Sequence, residues 1–282
     1  MIKIPKRKAD SNKGDYGHVF VLAGSAGFTG AAALCSQAAL VSGSGLVTLG
    51  IAKSLNPAMA RKLTEVMTRP LPETGGQALS EKAYPGIMKF AEKADCVAIG
   101  PGLSRDPGTQ RLIRKLVIAL EKPVVLDADG INALEGKAEL LKRAKAPGVI
   151  TPHPGEMSRL SAISVKRIAA AKEKVAKEFA NKYNVVCVLK GHRTVVARPD
   201  GKTYVNTTGN PGMAKGGTGD VLTGMIASFI GQGMRPFDAA MLGVYLHGLA
   251  GDLAAKEKGE VSMLASDLLN KIPEAIKKLQ SS

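Results

Sequence analysis

The sequence has no Trp and only 6 Phe and 5 Tyr among 282 residues. Proteins that hold exposed bases stack them on aromatic side chains, so this shortage argues against general nucleic-acid binding. Cysteine is scarce as well. Cys35, Cys96 and Cys187 are odd in number, far apart and outside any C-x-x-C spacing. That argues against a disulfide framework and a zinc site, and reads as three buried thiols in a reducing, cytoplasmic setting. No basic segment followed by an apolar run opens the chain, so no secretory signal is expected. Long hydrophobic runs are missing too. The longest stretch without Asp, Glu, Lys or Arg covers 16–52, and Gly17, Gly24, Gly27, Gly30, Gly43, Gly45 and Gly50 divide it. None of the pieces reaches the roughly 20 apolar residues of a spanning helix, so the stretch reads as strand, helix, strand and no membrane is expected.

Negative charge is in short supply. Lys plus Arg number 39 against 24 Asp plus Glu, a net +15. Polyanionic partners are therefore admissible, small molecules included. Lys3, Lys6, Arg7, Lys8 and Lys13 against Asp10 give residues 1–13 five positive charges less one, +4, which reads as solubilising surface. Lys166, Arg167, Lys172, Lys174, Lys177 and Lys182, against Glu173 and Glu178, read as a solvated helix face.

What remains is globular: 45% hydrophobic and 22% charged. With a soft prior of roughly 150 residues per domain, the length admits one large α/β domain or two small ones. Short β-branched runs occupy 18–23, 46–51, 96–99, 124–127, 148–151, 185–189, 194–197 and 203–207. The first six are nearly continuous in apolar residues, as parallel strands covered on both faces are. Helical patterns separate most of them, over 30–41, 79–94, 109–120, 137–143 and 165–183. After Leu189, the turn residues Pro199, Asp200 and Gly201 predict a hairpin and antiparallel edge strands. Helices over 219–231, 237–256 and 265–278 follow. No linker, repeat or low-complexity tract interrupts the chain, so residues 1–282 are expected to form a single three-layer α/β domain with a mostly parallel central sheet.

The densest glycine run spans 208–224, with six Gly in 17 residues, and leads into an apolar helix. Backbone N–H groups and a helix N-terminus converge there without side chains in the way, as an anion such as a phosphate requires. The run is neither a Walker A loop nor G-x-G-x-x-G. Asp220 stands in the first helical turn, stabilised by the helix dipole and aimed at whatever the glycines cradle. A plain surface loop capped by an ordinary Asp is the competing reading.

Gly217-Thr218-Gly219-Asp220, late in an α/β chain, resembles the Gly-x-Gly-Asp element of ribokinase-like kinases. In that superfamily the glycine amides form an anion hole for the transferred phosphoryl group and the Asp deprotonates the acceptor hydroxyl. Six further segments, with the short Gly30-Ala31-Ala32, narrow the resemblance: Lys13-Gly14-Asp15-Tyr16-Gly17, Ala23-Gly24-Ser25, Gly100-Pro101-Gly102-Leu103, Leu126-Asp127-Ala128-Asp129-Gly130-Ile131-Asn132, Thr151-Pro152-His153-Pro154-Gly155-Glu156 and Leu189-Lys190-Gly191-His192-Arg193-Thr194. Each is weak alone. In this order, over most of the chain, they look like the ADP/ATP-dependent NAD(P)H-hydrate dehydratases, which are lidless ribokinase-like proteins.

The resemblance implies repair of the 6-hydroxy hydrate of NADH or NADPH, by phosphorylation of the hydroxyl with ADP or ATP and elimination of phosphate. It implies Ala31, Gly102, His153 and Asp220 as contacts of the hydrated dinucleotide, with Asp220 the base. It implies Lys190, Gly191, His192, Arg193 and Thr194, with Gly217, Thr218 and Gly219, as the nucleotide site. Asn132 and Asn210 are implied as substrate contacts, and Asp127 and Glu156 as organisers of Mg²⁺ or water. Many members carry a further Gly just after Gly102, where this chain has Leu103-Ser104-Arg105. A homotetramer is implied, and an epimerase acting in the same repair is expected as a separate protein.

Several positions keep an alternative. His153 could be a turn histidine, although its place between prolines at a strand end favours a ligand role. Lys190 and Arg193 could end a solvated hairpin, and Asp127 and Asp129 could cap the next helix. His18, His247 and Asp15 are read as structural. Two whole-protein rivals stand beside the dehydratase: a ribokinase-like kinase for a vitamin precursor of the hydroxymethylpyrimidine or hydroxyethylthiazole type, and a catalytically silent nucleotide- or RNA-binding protein.

Overall fold

A computed structural model describes residue 4 and residues 7–281. Lys3 and Lys6 of the basic N-terminal cluster lie outside the described residues. Nine strands form one sheet: β1 (His18–Leu22), β2 (Leu46–Ala52), β3 (Met67–Leu71), β4 (Cys96–Ile99), β5 (Val124–Leu126), β6 (Gly148–Ile150), β7 (Val186–Leu189), β8 (Val195–Ala197) and β9 (Thr203–Val205). Their order is β3-β2-β1-β4-β5-β6-β7-β8-β9. All pairs through β6–β7 are parallel, and β7–β8 and β8–β9 are antiparallel. The antiparallel edge expected after Leu189 is present.

The helices are α1 (Thr29–Val41), α2 (Asn56–Lys62), α3 (Tyr84–Ala91), α4 (Pro107–Ala119), α5 (Asp129–Asn132), α6 (Pro154–Ser161), α7 (Val165–Ala170), α8 (Lys172–Tyr183), α9 (Thr218–Gly231), α10 (Pro236–Lys258) and α11 (Ala265–Gln280). Two cores sandwich the sheet, because successive strand residues point to opposite faces. Val19 and Val21 of β1 join the core built with α1, α9, α10 and α11, whereas Phe20 and Leu22 join the core built with α3, α4, α6 and α8. Burial on both faces explains why the strand sequences are apolar throughout rather than alternating.

The structure corrects four sequence expectations. Strand β3 was not expected: Pro70 interrupts the run and only Leu71 is buried, both tolerable at a sheet edge where one side of the ladder is unpaired. The helix expected over 165–183 is two helices, broken where Ala171 leaves helical geometry at φ −135°, ψ 41°. The helix expected over 137–143 is a 3₁₀ segment, Ala138–Arg143. The helix expected over 79–94 contracts to a 3₁₀ turn and α3.

Strands β2 and β3 lie on one side of β1, and β4 onward on the other, so the chain's direction of growth reverses between β1 and β4. In open parallel sheets, ligands bind outside the carboxyl ends of the strands at such a switch point. Helix α9 packs beneath β1, β4 and β5 and runs against them. Its N-terminus reaches the carboxyl end of β5, where the Thr223 hydroxyl donates to Asp127, and its C-terminal Gly231 lies beside Val19.

Candidate active site

The loops that leave β1, β4, β5, β6 and β7, together with the N-terminus of α9, bring most of the predicted residues to one end of the sheet. Gly24 N–H donates to the Pro101 carbonyl at 2.8 Å, tying the β1 and β4 exits together. The Ser25 hydroxyl donates to the Gly102 carbonyl at 2.7 Å. A Cβ on Gly102 would lie 3.2 Å from that of Ala31, so the two predicted dinucleotide contacts are neighbours. Ser104 adopts a left-handed φ of 75°, and its N–H is held at 2.8 Å by the Asp129 carboxylate. Neither Asp127 nor Asp129 caps α5, since Asp129 spends its other oxygen on the Asn132 side chain.

Asp127 is the electrostatic anchor. Its side chain is 1% exposed, one oxygen accepts from Lys190 Nζ at 2.5 Å and Thr151 Oγ1 at 2.8 Å, and the other accepts from Thr223 Oγ1 at 2.8 Å. Lys190 also lies 4.0 Å from Glu156. Burial alone would push the Lys190 ammonium toward neutrality. The Asp127 and Glu156 carboxylates outweigh it and raise its pKa, so Lys190 is a fixed cation. A Cβ on Gly219 would lie 3.3 Å from Lys190 Nζ, which puts the turn before Asp220 against this pair.

Asp220 follows in the first turn of α9. Burial and the nearby Asp127 carboxylate push its pKa up to about 7, against the pull of Lys190. A carboxyl poised near neutrality beside a helix N-terminus and a lysine is equipped to accept a proton from a bound hydroxyl while amides and ammonium meet an anion.

His153 caps α6 with its ring. Nδ1 accepts from the N–H groups of Gly155 (3.0 Å) and Glu156 (3.4 Å), and Glu156 returns a carboxylate to His153 N–H at 2.8 Å. The Nδ1 acceptor role leaves the proton on Nε2, and burial lowers the ring's pKa, with Lys190 and Arg159 adding to the effect. His153 is thus a neutral Nε2–H donor on an exposed rim. Burial also raises the pKa of Glu156. Asn132, predicted as a substrate contact, accepts from Arg159 Nε and Nη2 at 3.2 and 2.9 Å, a partner the sequence reading missed.

The glycine-rich loop is moulded on α10. Gly217 takes a left-handed φ of 92° at the entry to α9, a conformation other residues seldom adopt. The ring of His247, buried and read as structural from sequence, bonds through Nε2 to the Thr218 carbonyl at 2.8 Å, and burial lowers its pKa to about 4. The neutral ring therefore donates this bond and fixes the turn from behind. A Cβ on Gly248 would come within 2.1 Å of the Thr208 hydroxyl oxygen, so only glycine admits the loop at that distance. Asp252 accepts from Gly209 N–H and from Asn210 Nδ2, both at 3.0 Å. Asn210 itself accepts from Gly212 N–H, so its side chain shapes the loop. His247, Gly248 and Asp252 were not assigned to the site because their connections to it span 29 to 43 residues; their i, i+1, i+5 placement on one helix is the only local signal. Asp252→Ala removes two hydrogen bonds to a partly exposed side chain, together worth on the order of 1.5 kcal/mol. It is expected to accelerate tryptic cleavage at Lys215 roughly tenfold while the global melting midpoint falls by only a few degrees. Unaltered cleavage would separate Asp252 from loop order.

His192 and Arg193 are exposed beyond β7, and the Thr194 hydroxyl donates to the Gly191 carbonyl at 3.0 Å. Lys172 departs from the expected solvated face: its Nζ donates to the carbonyls of His192 (2.9 Å) and Arg193 (3.3 Å). Asp15, as expected, is structural, accepting from Asn12 N–H at 2.7 Å in a capping box. His18 bonds the Thr48 hydroxyl at 2.8 Å.

Asp127 is committed to a lysine and two hydroxyls, and Glu156 to the α6 cap. Among the described residues no group of three or more His, Cys, Asp or Glu side chains is placed to hold an ion. No helix of the described residues is long and apolar enough to cross a membrane.

Residues 19–274 match the NAD(P)H-hydrate dehydratase family. The chain is 46% identical over 278 residues to a bifunctional NAD(P)H-hydrate repair enzyme of Moorella thermoacetica, covering 99% of this chain and 52% of that protein. It spans about half the length of the first curated relatives it matches. An ADP-dependent (S)-NAD(P)H-hydrate dehydratase of Bacillus subtilis is 36% identical over 277 residues, covering 98% of this chain and 95% of that one. The crystal structure of the ADP/ATP-dependent NAD(P)H-hydrate dehydratase of Bacillus subtilis, co-crystallised with ATP/Mg²⁺, superposes with a TM-score of 0.83 at 33% identity, covering 98% of this chain and 94% of that one.

Proposed function

This chain belongs to the NAD(P)H-hydrate dehydratase family, and we propose on that premise that it returns the 6-hydroxy hydrates of NADH and NADPH to NAD(P)H at the expense of ADP or ATP. The observation that carries the reading is the turn at 217–220, which sets the Asp220 carboxyl and the N-terminus of α9 beside Lys190 at the switch point of the sheet.

The chemistry follows from leaving groups. Hydroxide leaves a carbon poorly and phosphate far better. Asp220 accepts the proton of the hydrate's hydroxyl as that oxygen attacks the terminal phosphorus of ADP; the new O–P bond forms as the bond to AMP breaks. Amides of Gly217, Thr218 and Gly219 and the Lys190 ammonium face the charge on the phosphoryl oxygens. The ring nitrogen's lone pair then expels phosphate, and loss of the C5 proton restores the C5–C6 double bond. The sum is hydrate plus ADP giving NAD(P)H, AMP and phosphate. With ATP the other product is ADP.

In this reading His153, Gly102 and Ala31 contact the dinucleotide, with Asn132 and Asn210 shaping its surroundings, and Lys190–Thr194 with Gly217, Thr218 and Gly219 receive the nucleotide. Mg²⁺ enters as a companion of the nucleotide, which agrees with its habit of keeping waters and phosphate oxygens as ligands. The same proposal includes a cytoplasmic homotetramer and an epimerase acting on the hydrate in the same repair.

Incubating the protein with chemically hydrated NADH, Mg²⁺ and either ADP or ATP should restore the dihydronicotinamide absorbance band, with one phosphate released per turnover. No nucleotide-dependent recovery with either would overturn the assignment.

A further inference from the structure

One cation outside the carboxylate cluster sits where elementary electrostatics disfavours it. Lys172 is the first residue of α8, and the preceding Ala171 supplies no side-chain cap. A helix N-terminus carries partial positive charge and favours an anion, not a second cation. Lysine's long stem normally lets the ammonium escape to solvent. Here it does not escape: the residue is partly buried, and Nζ donates to two consecutive carbonyls, those of His192 and Arg193, at 2.9 and 3.3 Å.

A Cβ on Gly191 would stand 3.3 Å from the same Nζ, so three successive loop residues are built around this one group. Arg193 takes a left-handed φ of 53°, and the His192 and Arg193 side chains project outward. Among the described residues no carboxylate pairs with Lys172. Burial with no compensating charge accordingly lowers its pKa to about 8. An unneutralised ammonium that orders a loop by its carbonyls, at the edge of a site meant for a polyanion, is what a preorganised anion-binding loop requires.

We infer that Lys172 is a positioning residue for the nucleoside diphosphate: its ammonium holds the 191–194 loop in its receiving form, and its uncompensated charge adds to the attraction for the nucleotide. The inference rests on the dehydratase reading for the identity of the loop's ligand and goes beyond it in assigning a residue of α8 that belongs to none of the sequence motifs.

Lys172→Met and Lys172→Arg test it, with kcat, KM for ADP, KM for the hydrate, calorimetric ADP affinity and melting midpoint all measured. Lys172→Met should raise both KM and Kd for ADP at least about tenfold, leaving the hydrate KM and the kcat at saturating ADP within about twofold. Lys172→Arg, which keeps charge and donors, should recover most of the loss. An unchanged ADP affinity in Lys172→Met overturns the inference. So does a loss that falls equally on the hydrate KM and the melting midpoint and that Lys172→Arg does not repair. Failure of the dehydratase reading is distinguishable: the wild type would then bind ADP in a Lys172-dependent way yet restore no dihydronicotinamide absorbance.

Discussion

Asp220→Asn is expected to lower turnover at least about 100-fold while making the protein more stable at neutral and alkaline pH. The first effect is the loss of a general base, which costs roughly 10²–10⁴ in rate. Nucleotide binding should survive, because the amides and Lys190 remain. In the wild type, kcat/KM should rise about tenfold per pH unit below neutrality and level off above about 7, where the Asp220 carboxyl has ionised. The second effect follows from linkage. The folded pKa of about 7 stands above the ordinary carboxylate value of 3.8, because burial and Asp127 resist ionisation. Between those values the folded state holds a proton that the unfolded chain has released, so stability falls as pH rises through that window. About three pH units at about 1.4 kcal/mol each put the full cost on the order of 4 kcal/mol above pH 7. An amide of the same shape escapes that cost, so the melting midpoint of Asp220→Asn should exceed the wild type's by several degrees at pH 8 and match it near pH 4. Steady-state rates and melting curves at the two pH values decide the matter; undiminished turnover would remove Asp220 from the chemistry.

Asp127→Asn should act in the opposite direction on stability. Removing one member of a buried ion pair leaves the other uncompensated, at a cost of about 3–5 kcal/mol. The Lys190 ammonium, 2.5 Å from Asp127, would keep Glu156 at 4.0 Å and the more distant charge of Asp220. The two threonine hydroxyls are less affected, since Thr223 can donate to the Gly219 carbonyl at 3.1 Å and Thr151 to the Leu126 carbonyl at 3.2 Å. A stability loss of about 3 kcal/mol is therefore expected, measured by denaturant unfolding. The same substitution has a distinct kinetic signature. The Asp127 charge raises the pKa of Asp220 while Lys190 lowers it. Deleting that charge removes the strongest of the carboxylate effects that oppose Lys190 at Asp220, so the acid limb of the pH profile should move to lower pH. A limb that stays in place, in a protein that still folds, would mean the two carboxylates are not coupled.

Periodicity and composition carry a long way here. Continuous apolar runs such as Val19–Leu22 and Val97–Ile99 read as strands buried on both faces, and the helical patterns between them pointed to a parallel sheet. Pro199-Asp200-Gly201 announced the antiparallel β8–β9 hairpin. The misses share a cause. β3 is an edge strand whose Pro70 and exposed side chains erase the pattern a central strand must keep. The break at Ala171 leaves no mark in the apolar spacing of 165–183, which continues across it. Short α5 and α6 are set by strand exits and by the unusual cap of His153 rather than by any amphipathic stripe.

By itself the sequence determined that the chain is an α/β protein with a glycine-lined turn delivering Asp220 at a helix N-terminus, because strand burial, turn conformation and helix capping are written in neighbouring residues. Only the tertiary structure decided what surrounds that carboxyl. The strand order brings Asp127 and Lys190 together across 63 residues, α10 returns His247 and Asp252 to the loop that Gly217 ends, and the break at Ala171 turns Lys172 inward to the 191–194 loop. Charges interact through space and through the dielectric between them, and neither distance nor burial is encoded in the local pattern. The proton affinity of Asp220, near neutrality instead of near 4, is accordingly a property of the fold.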